Sequence, residues 1–137
     1  MRISGSCLCQ KVNFAVETEQ VTPLVAHCHC RMCQKFHGSA FSTFIEVKLQ
    51  GFHLNGKAHL THYVSDNGAK RSFCNSCGSS LFFESVYNRA DQTIEVALAA
   101  LDSGQHLFKP NANIYVSSQV TWLHDIHELP HFPNYRQ

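Results

Sequence analysis

The chain has 137 residues, a 44% hydrophobic and 15% charged composition and a net charge of +1, which bound a single globular domain over residues 1–137 and exclude a disordered chain. The small net charge also excludes a general nucleic-acid binder or membrane-surface binder. The first ten residues lack the apolar core of a signal peptide, and the longest smooth apolar run, over 96–101, is far too short to cross a bilayer, so the expectation is a cytoplasmic protein whose thiols stay free of disulfides.

In chain order, the first signal is Cys7-Leu8-Cys9, a C-x-C pair whose two thiols would point the same way in an extended chain. Val12, Phe14 and Val16 then alternate with polar residues, as in a half-buried strand. Cys28-His29-Cys30-Arg31-Met32-Cys33 packs three thiols into six residues, and a short helical turn is expected over 31–37. Phe41, Thr43 and Ile45 predict one face of a strand, with Phe44 on the other. Further strands are expected over 60–64, 71–73, 81–83, 93–98 and, from its β-branched and aromatic residues, 114–116. Asn55-Gly56 and Asn67-Gly68 read as hairpin turns. Cys74-Asn75-Ser76-Cys77-Gly78 is a C-x-x-C turn in which Gly78 supplies the positive φ such a turn needs. The core runs to about residue 125, Trp122 anchors the core or the tail, and residues 129–133 form an extended surface tail. The fold class is mainly β, in one domain, with turns carrying the cysteines.

Those three groups contain all seven cysteines. Thiols this close in sequence can converge on one ion, and zinc is the usual one, held at about 2.3 Å in tetrahedral geometry. Two pairings are open. Cys7, Cys9, Cys74 and Cys77 can close one site and leave Cys28, Cys30 and Cys33 as a second with a free position. Alternatively, Cys30 and Cys33 join Cys74 and Cys77. Either way three thiols remain, and three protein ligands around zinc mark a site with room for a substrate. Arg31, Lys35 and Arg71 are basic residues near the thiol blocks, suited to a substrate carboxylate. His29, between two of these thiols, is a candidate proton donor, against which alternation in Cys28-His29-Cys30 favours turning it away from the sulfurs into a packing role; His37 is a candidate donor at the lip of the site.

Four blocks together resemble the glutathione-dependent formaldehyde-activating enzyme family, which includes centromere protein V-like proteins. They are Gly5-Ser6-Cys7-Leu8-Cys9; Cys28 to Lys35 with Gly38-Ser39-Ala40-Phe41; Phe73-Cys74-Asn75-Ser76-Cys77-Gly78 with Leu81; and Leu101-Asp102, Pro110, Ile114-Tyr115-Val116-Ser117-Ser118 and Trp122. The resemblance implies a β-tent fold of short antiparallel sheets and two zinc ions per chain. It favours the first pairing, with a structural zinc on Cys7, Cys9, Cys74 and Cys77 and a catalytic zinc on Cys28, Cys30 and Cys33. It also implies a carbon–sulfur lyase that adds glutathione or a related thiol to formaldehyde, so its partners would be a small thiol and a small aldehyde. The alternative reading is a zinc-stabilised β binding module or a thiol-based zinc or redox sensor. Three positions depart from the family: Gln10 for its usual Gly, Gln34 for a frequent Arg, and Asn113 for a frequent His.

Overall fold

The computed structural model describes residues 1–136, and these form ten strands and two short α-helices. The order is β1 (Arg2–Ser6), β2 (Asn13–Glu17), β3 (Val21–Cys28), α1 (Arg31–His37), β4 (Ser42–Lys48), β5 (Phe52–Asn55), β6 (Leu60–Val64), β7 (Lys70–Cys74), β8 (Ser80–Glu84), α2 (Val86–Asp91), β9 (Thr93–Ala97) and β10 (Ala112–Ile114). A small sheet runs β1-β2-β5 and a large one β10-β3-β4-β9-β8-β7-β6. Every pairing is antiparallel except β10 on β3.

One face of the large sheet packs on the small sheet, and the period of two sorts the side chains between its faces. Val25, Ile45, Val96 and Phe82 lie in register across β3, β4, β9 and β8, and they pack with Ile3, Phe14 and Val16 of the small sheet into the main core. Phe82 takes Phe14 edge-on at 5.2 Å and Phe52 at 5.1 Å. The opposite face carries Ala26, Phe44 and Ala97 in one row. Glu46, Glu95, Phe83, Arg71 and Tyr63 make the next. A second cluster forms there around Cys28, Cys33, Phe44 and Ala97.

Several expectations change. The strand expected at 114–116 ends at Ile114, because Tyr115 turns into the left-handed region at φ 57°. Asn55-Gly56 is not a hairpin turn: β5 pairs with β2 while β6 pairs with β7, so this turn carries the chain between sheets. Asn67-Gly68 does join an antiparallel pair, β6 and β7. Strands β1, β3 and β5 and helix α2 lack an expectation, since their apolar positions are few or broken by Gly, Pro and His. Trp122 is 66% exposed and anchors no core.

Gly56 has φ 79°, and a Cβ placed there would lie 1.9 Å from the Lys11 carbonyl oxygen. Gly56→Ala is therefore expected to lower stability by at least about 2 kcal/mol, from combined strain and collision. Denaturant unfolding checks it, and a loss below about 0.5 kcal/mol, typical of an open surface site, would contradict it.

Candidate metal centres and the adjoining cavity

Two cysteine groups assemble among the described residues. The sulfurs of Cys7, Cys9, Cys74 and Cys77 all lie within 4.8 Å of one another, and so do those of Cys28, Cys30 and Cys33. Cys30 and Cys33 thus sit with Cys28 and apart from Cys74 and Cys77.

In the first group, Cys7 and Cys9 come from a turn and not from an extended strand, with Gln10 N–H donating to the Cys7 carbonyl at 3.0 Å. Gln10 closes that turn at φ 65°, a left-handed conformation that explains why glycine suits this position. The Cys74–Cys77 turn closes through Gly78 N–H to the Cys74 carbonyl at 2.8 Å, with Gly78 at φ 77° as expected. The sulfur separations are 3.6 Å for Cys7–Cys9 and 3.7 Å for Cys9–Cys74. A zinc–sulfur tetrahedron with bonds of about 2.3 Å has edges of about 3.8 Å, so this donor set fits zinc. Val12 N–H donates to Cys7 Sγ at 3.3 Å and Ser76 N–H to Cys74 Sγ at 3.4 Å, so backbone donors point at both sulfurs. The Ser79 hydroxyl first, and its backbone N–H next, bring Cys77 down to about 5. Cys7 and Cys74 are buried in the main core.

The second group stands at the end of β3 and the start of α1. Cys30 caps the helix, its sulfur accepting from Cys33 N–H at 3.3 Å, and Gly38 ends it in the left-handed conformation. Cys28 is lowered to about 6, chiefly by a hydrogen bond from Cys33, while the same contact raises Cys33. Three thiolates this close would repel, and a cation among them offsets that repulsion, so these sulfurs also fit a zinc ion with one position left over.

His29 turns away from the sulfurs, as alternation predicts. It is buried, its Nε2 pairs with Asn113 Oδ1 at 2.9 Å, and it packs on Phe41. Gln34 is buried too, its amide donating to the carbonyls of His29 at 2.7 Å and Ser118 at 2.9 Å. Two of the three departures from the family pattern, Gln34 and Asn113, thus fasten α1 and β10 around the second group. His37 borders a different cavity, beside Leu8, Ser80 and Asp102. Burial first, and the charge of Arg71 second, bring it down to about 4, so it is neutral at pH 7.

Beside the three cysteines lies a cavity of about 590 Å³. Its walls are largely apolar, with Met32, Phe44, Phe83 and Val86 among them, and Arg31, Arg71 and Glu95 are its charged groups. Arg71 is 5% exposed, its guanidinium 5.0 Å from the centre of the Phe83 ring and 3.6 Å from the Met32 sulfur. No carboxylate pairs with it among the described residues. Phe83 stands between Arg71 and Glu95 in the row across the sheet, keeping their backbones about 10 Å apart. Arg31 is exposed at the cavity and is bonded to Gln34. Lys35 lines not this cavity but an adjoining groove that shares Arg71 and Met32. Glu95 is the residue that sequence reasoning missed: one glutamate in a strand carries no signal until its neighbours are known.

A family model described as glutathione-dependent formaldehyde-activating enzyme matches residues 2–118. An uncharacterized lyase of Schizosaccharomyces pombe is 30% identical over 79 residues, covering 58% of this chain and 55% of the relative. The match therefore spans about half the length of that relative. A crystal structure of a Rhodobacter sphaeroides protein superposes with a TM-score of 0.64 at 23% identity, over 81% of this chain and 99% of that one. That likeness concerns the fold. No helix among the described residues is long and apolar enough to cross a membrane.

Proposed function

We propose, from the premise that this chain belongs to the glutathione-dependent formaldehyde-activating enzyme family, that it adds a small thiol to a small aldehyde and releases an S-hydroxymethyl thiol. It acts as a carbon–sulfur lyase of the S-(hydroxymethyl)glutathione synthase type, on glutathione or a related thiol and on formaldehyde. Residues 1–137 work in this reading as one cytoplasmic domain, with the two sheets as the tent of the family. Cys7, Cys9, Cys74 and Cys77 hold a structural zinc, and Cys28, Cys30 and Cys33 a catalytic one. Zinc in the three-cysteine site supplies a positive centre that keeps an added thiol ionised at neutral pH.

The chain's own residues do the binding and orienting. The observation that carries the reading is that the three cysteines and a buried Arg71, paired with no carboxylate among the described residues, line one cavity. A buried cation without a counter-charge is costly, and a substrate carboxylate relieves that cost by a charge-assisted hydrogen bond. Stacking on Phe83 holds the guanidinium plane in place. Arg31 and Lys35 offer further positive charge, Arg31 at the cavity and Lys35 in the adjoining groove. The apolar walls keep water from competing for the aldehyde.

Exchange NMR with ¹³C-formaldehyde and a panel of thiols tests the reading. The protein is expected to speed exchange between formaldehyde and the S-hydroxymethyl adduct of at least one carboxylate-bearing thiol, and S-methylglutathione is expected to show no effect. Exchange no faster than in protein-free buffer for every thiol would overturn it.

A further inference from the structure

The cavity side of the large sheet holds a carboxylate pair to which the reaction above assigns no role. Glu46 on β4 and Glu95 on β9 stand directly opposite each other. Like charges so placed repel and destabilise a sheet, and their surroundings differ. Glu46 accepts hydrogen bonds from Asn88 Nδ2 at 3.1 Å and from the Thr93 hydroxyl at 3.3 Å. Asn88 is buried and fixed by a capping box with Ser85 at the start of α2. That is a cradle built for a carboxylate. Glu95 instead lies half-buried beside Phe83 and opens into the cavity lined by Cys28, Cys30, Cys33 and Arg71. Burial first, then the Glu46 charge, push Glu95 up to about 7, with Cys28 adding to the rise and Asn88 offsetting part of it. Glu46 faces it across the sheet, and the ionisable groups that share its cavity are Cys28, Cys30 and Cys33, Arg71 from β7, Arg31 from α1, Tyr87 from α2 and Tyr115 beyond β10. A half-buried carboxyl held opposite a second, hydrogen-bonded carboxylate is the usual setting of an acid and its electrostatic partner.

We infer that Glu95 is the proton carrier of the thiol–aldehyde addition, handing its carboxyl proton to the aldehyde oxygen as the carbon–sulfur bond forms. The inference rests on the reaction proposed above. The sulfur electron pair makes the new bond, the carbonyl π pair moves onto oxygen, and that oxygen takes the Glu95 proton. The resulting carboxylate accepts the proton of the next thiol, so thiol and aldehyde give product with no further reactant. No other described residue of the cavity suits the task as well. The guanidinium of Arg71 stacks on Phe83 and is the carboxylate-binding group of the reading above. His29 is bonded to Asn113, and His37 borders another cavity.

Forward rates by NMR from pH 5.5 to 8.5, on zinc-loaded wild type, Glu95→Gln, Glu95→Asp and Glu46→Gln, test this. The wild-type rate constant for the ionised thiol is expected to fall as pH rises through about 7. Glu95→Gln is expected to lose that limb and at least about a hundredfold in rate at pH 6, the lower end of the range of general acid catalysis. Glu95→Asp keeps part of the rate, and Glu46→Gln moves the limb to lower pH. Difference infrared spectra of wild type against Glu95→Gln read the carboxyl without turnover: a protonated-acid band at pH 6 is expected to vanish by pH 8. A band missing at pH 6, or a Glu95→Gln rate equal to wild type, overturns the assignment and leaves the proposed reaction standing. A wild type inactive with every thiol overturns the reaction and the assignment with it.

Discussion

Cys74→Ser is expected to abolish the folded state. Cys74 has no exposed surface and sits in the main core, where its sulfur approaches that of Cys9 and accepts from Ser76 N–H. A structural zinc site contributes its binding energy directly to folding, on the order of 10–16 kcal/mol. That is as large as the whole stability of a typical domain, about 5–15 kcal/mol. Loss of one ligand also leaves three thiols crowded without their cation. Near-ultraviolet circular dichroism and zinc content are expected to collapse together. Cys30→Ser is expected to melt only a few degrees below wild type. Cys30 is part-exposed and outside the main core, and the capping contact its sulfur makes with Cys33 N–H is one a serine hydroxyl makes well. Equal melting losses for the two variants would sink the division into a structural and a catalytic site.

Arg71→Ala is expected to weaken binding of a carboxylate-bearing thiol by about 1.5–3 kcal/mol, the range of a hydrogen bond to a charged group. That is about 10- to 150-fold in KM, with a much smaller change in kcat. Fold stability is expected to change little, since no carboxylate of the chain pairs with Arg71 among the described residues. Arg71→Lys keeps the charge but loses the planar stacking on Phe83, so it rescues binding only in part. The decisive control is 2-mercaptoethanol, a thiol without a carboxylate, whose KM is expected to stay near its wild-type value. An equal loss for glutathione and 2-mercaptoethanol would show that Arg71 supports the cysteine group and does not hold the substrate.

Much of the molecule is legible along the chain. The alternation of Phe14 and Val16 and the strand at 60–64 match β2 and β6. The turn after the central thiols matches α1 over Arg31–His37. These elements are local: a period of two or a capped turn states its own conformation. Strands β1, β3 and β5 are less legible because their stability comes from partners. Gly5 on β1 faces the Phe14 ring so closely that a side chain there would collide, and nothing in the segment alone says so. The Asn55-Gly56 turn misleads for the same reason: its residues favour a positive φ, but which sheet receives the next strand is a matter of long-range pairing.

The site divides along the same line. Cysteine spacing by itself determined that the thiols within each short group point together, and alternation favoured turning His29 away from them, because each depends on residues a few positions apart. Which cysteines converge was open in spacing and was decided by the fold, which brings the turn before β2 to the turn after β7. Only the tertiary structure decided that Arg71 is buried with no carboxylate partner among the described residues, that Lys35 lies outside the cavity, and that Glu95 faces Glu46. The reason is physical. The charge state of a carboxyl or a guanidinium depends on the dielectric and the charges around it, and strands far apart in sequence supply those surroundings. Sequence spacing specifies ligands that share a turn, and register across a sheet specifies the field that acts on them.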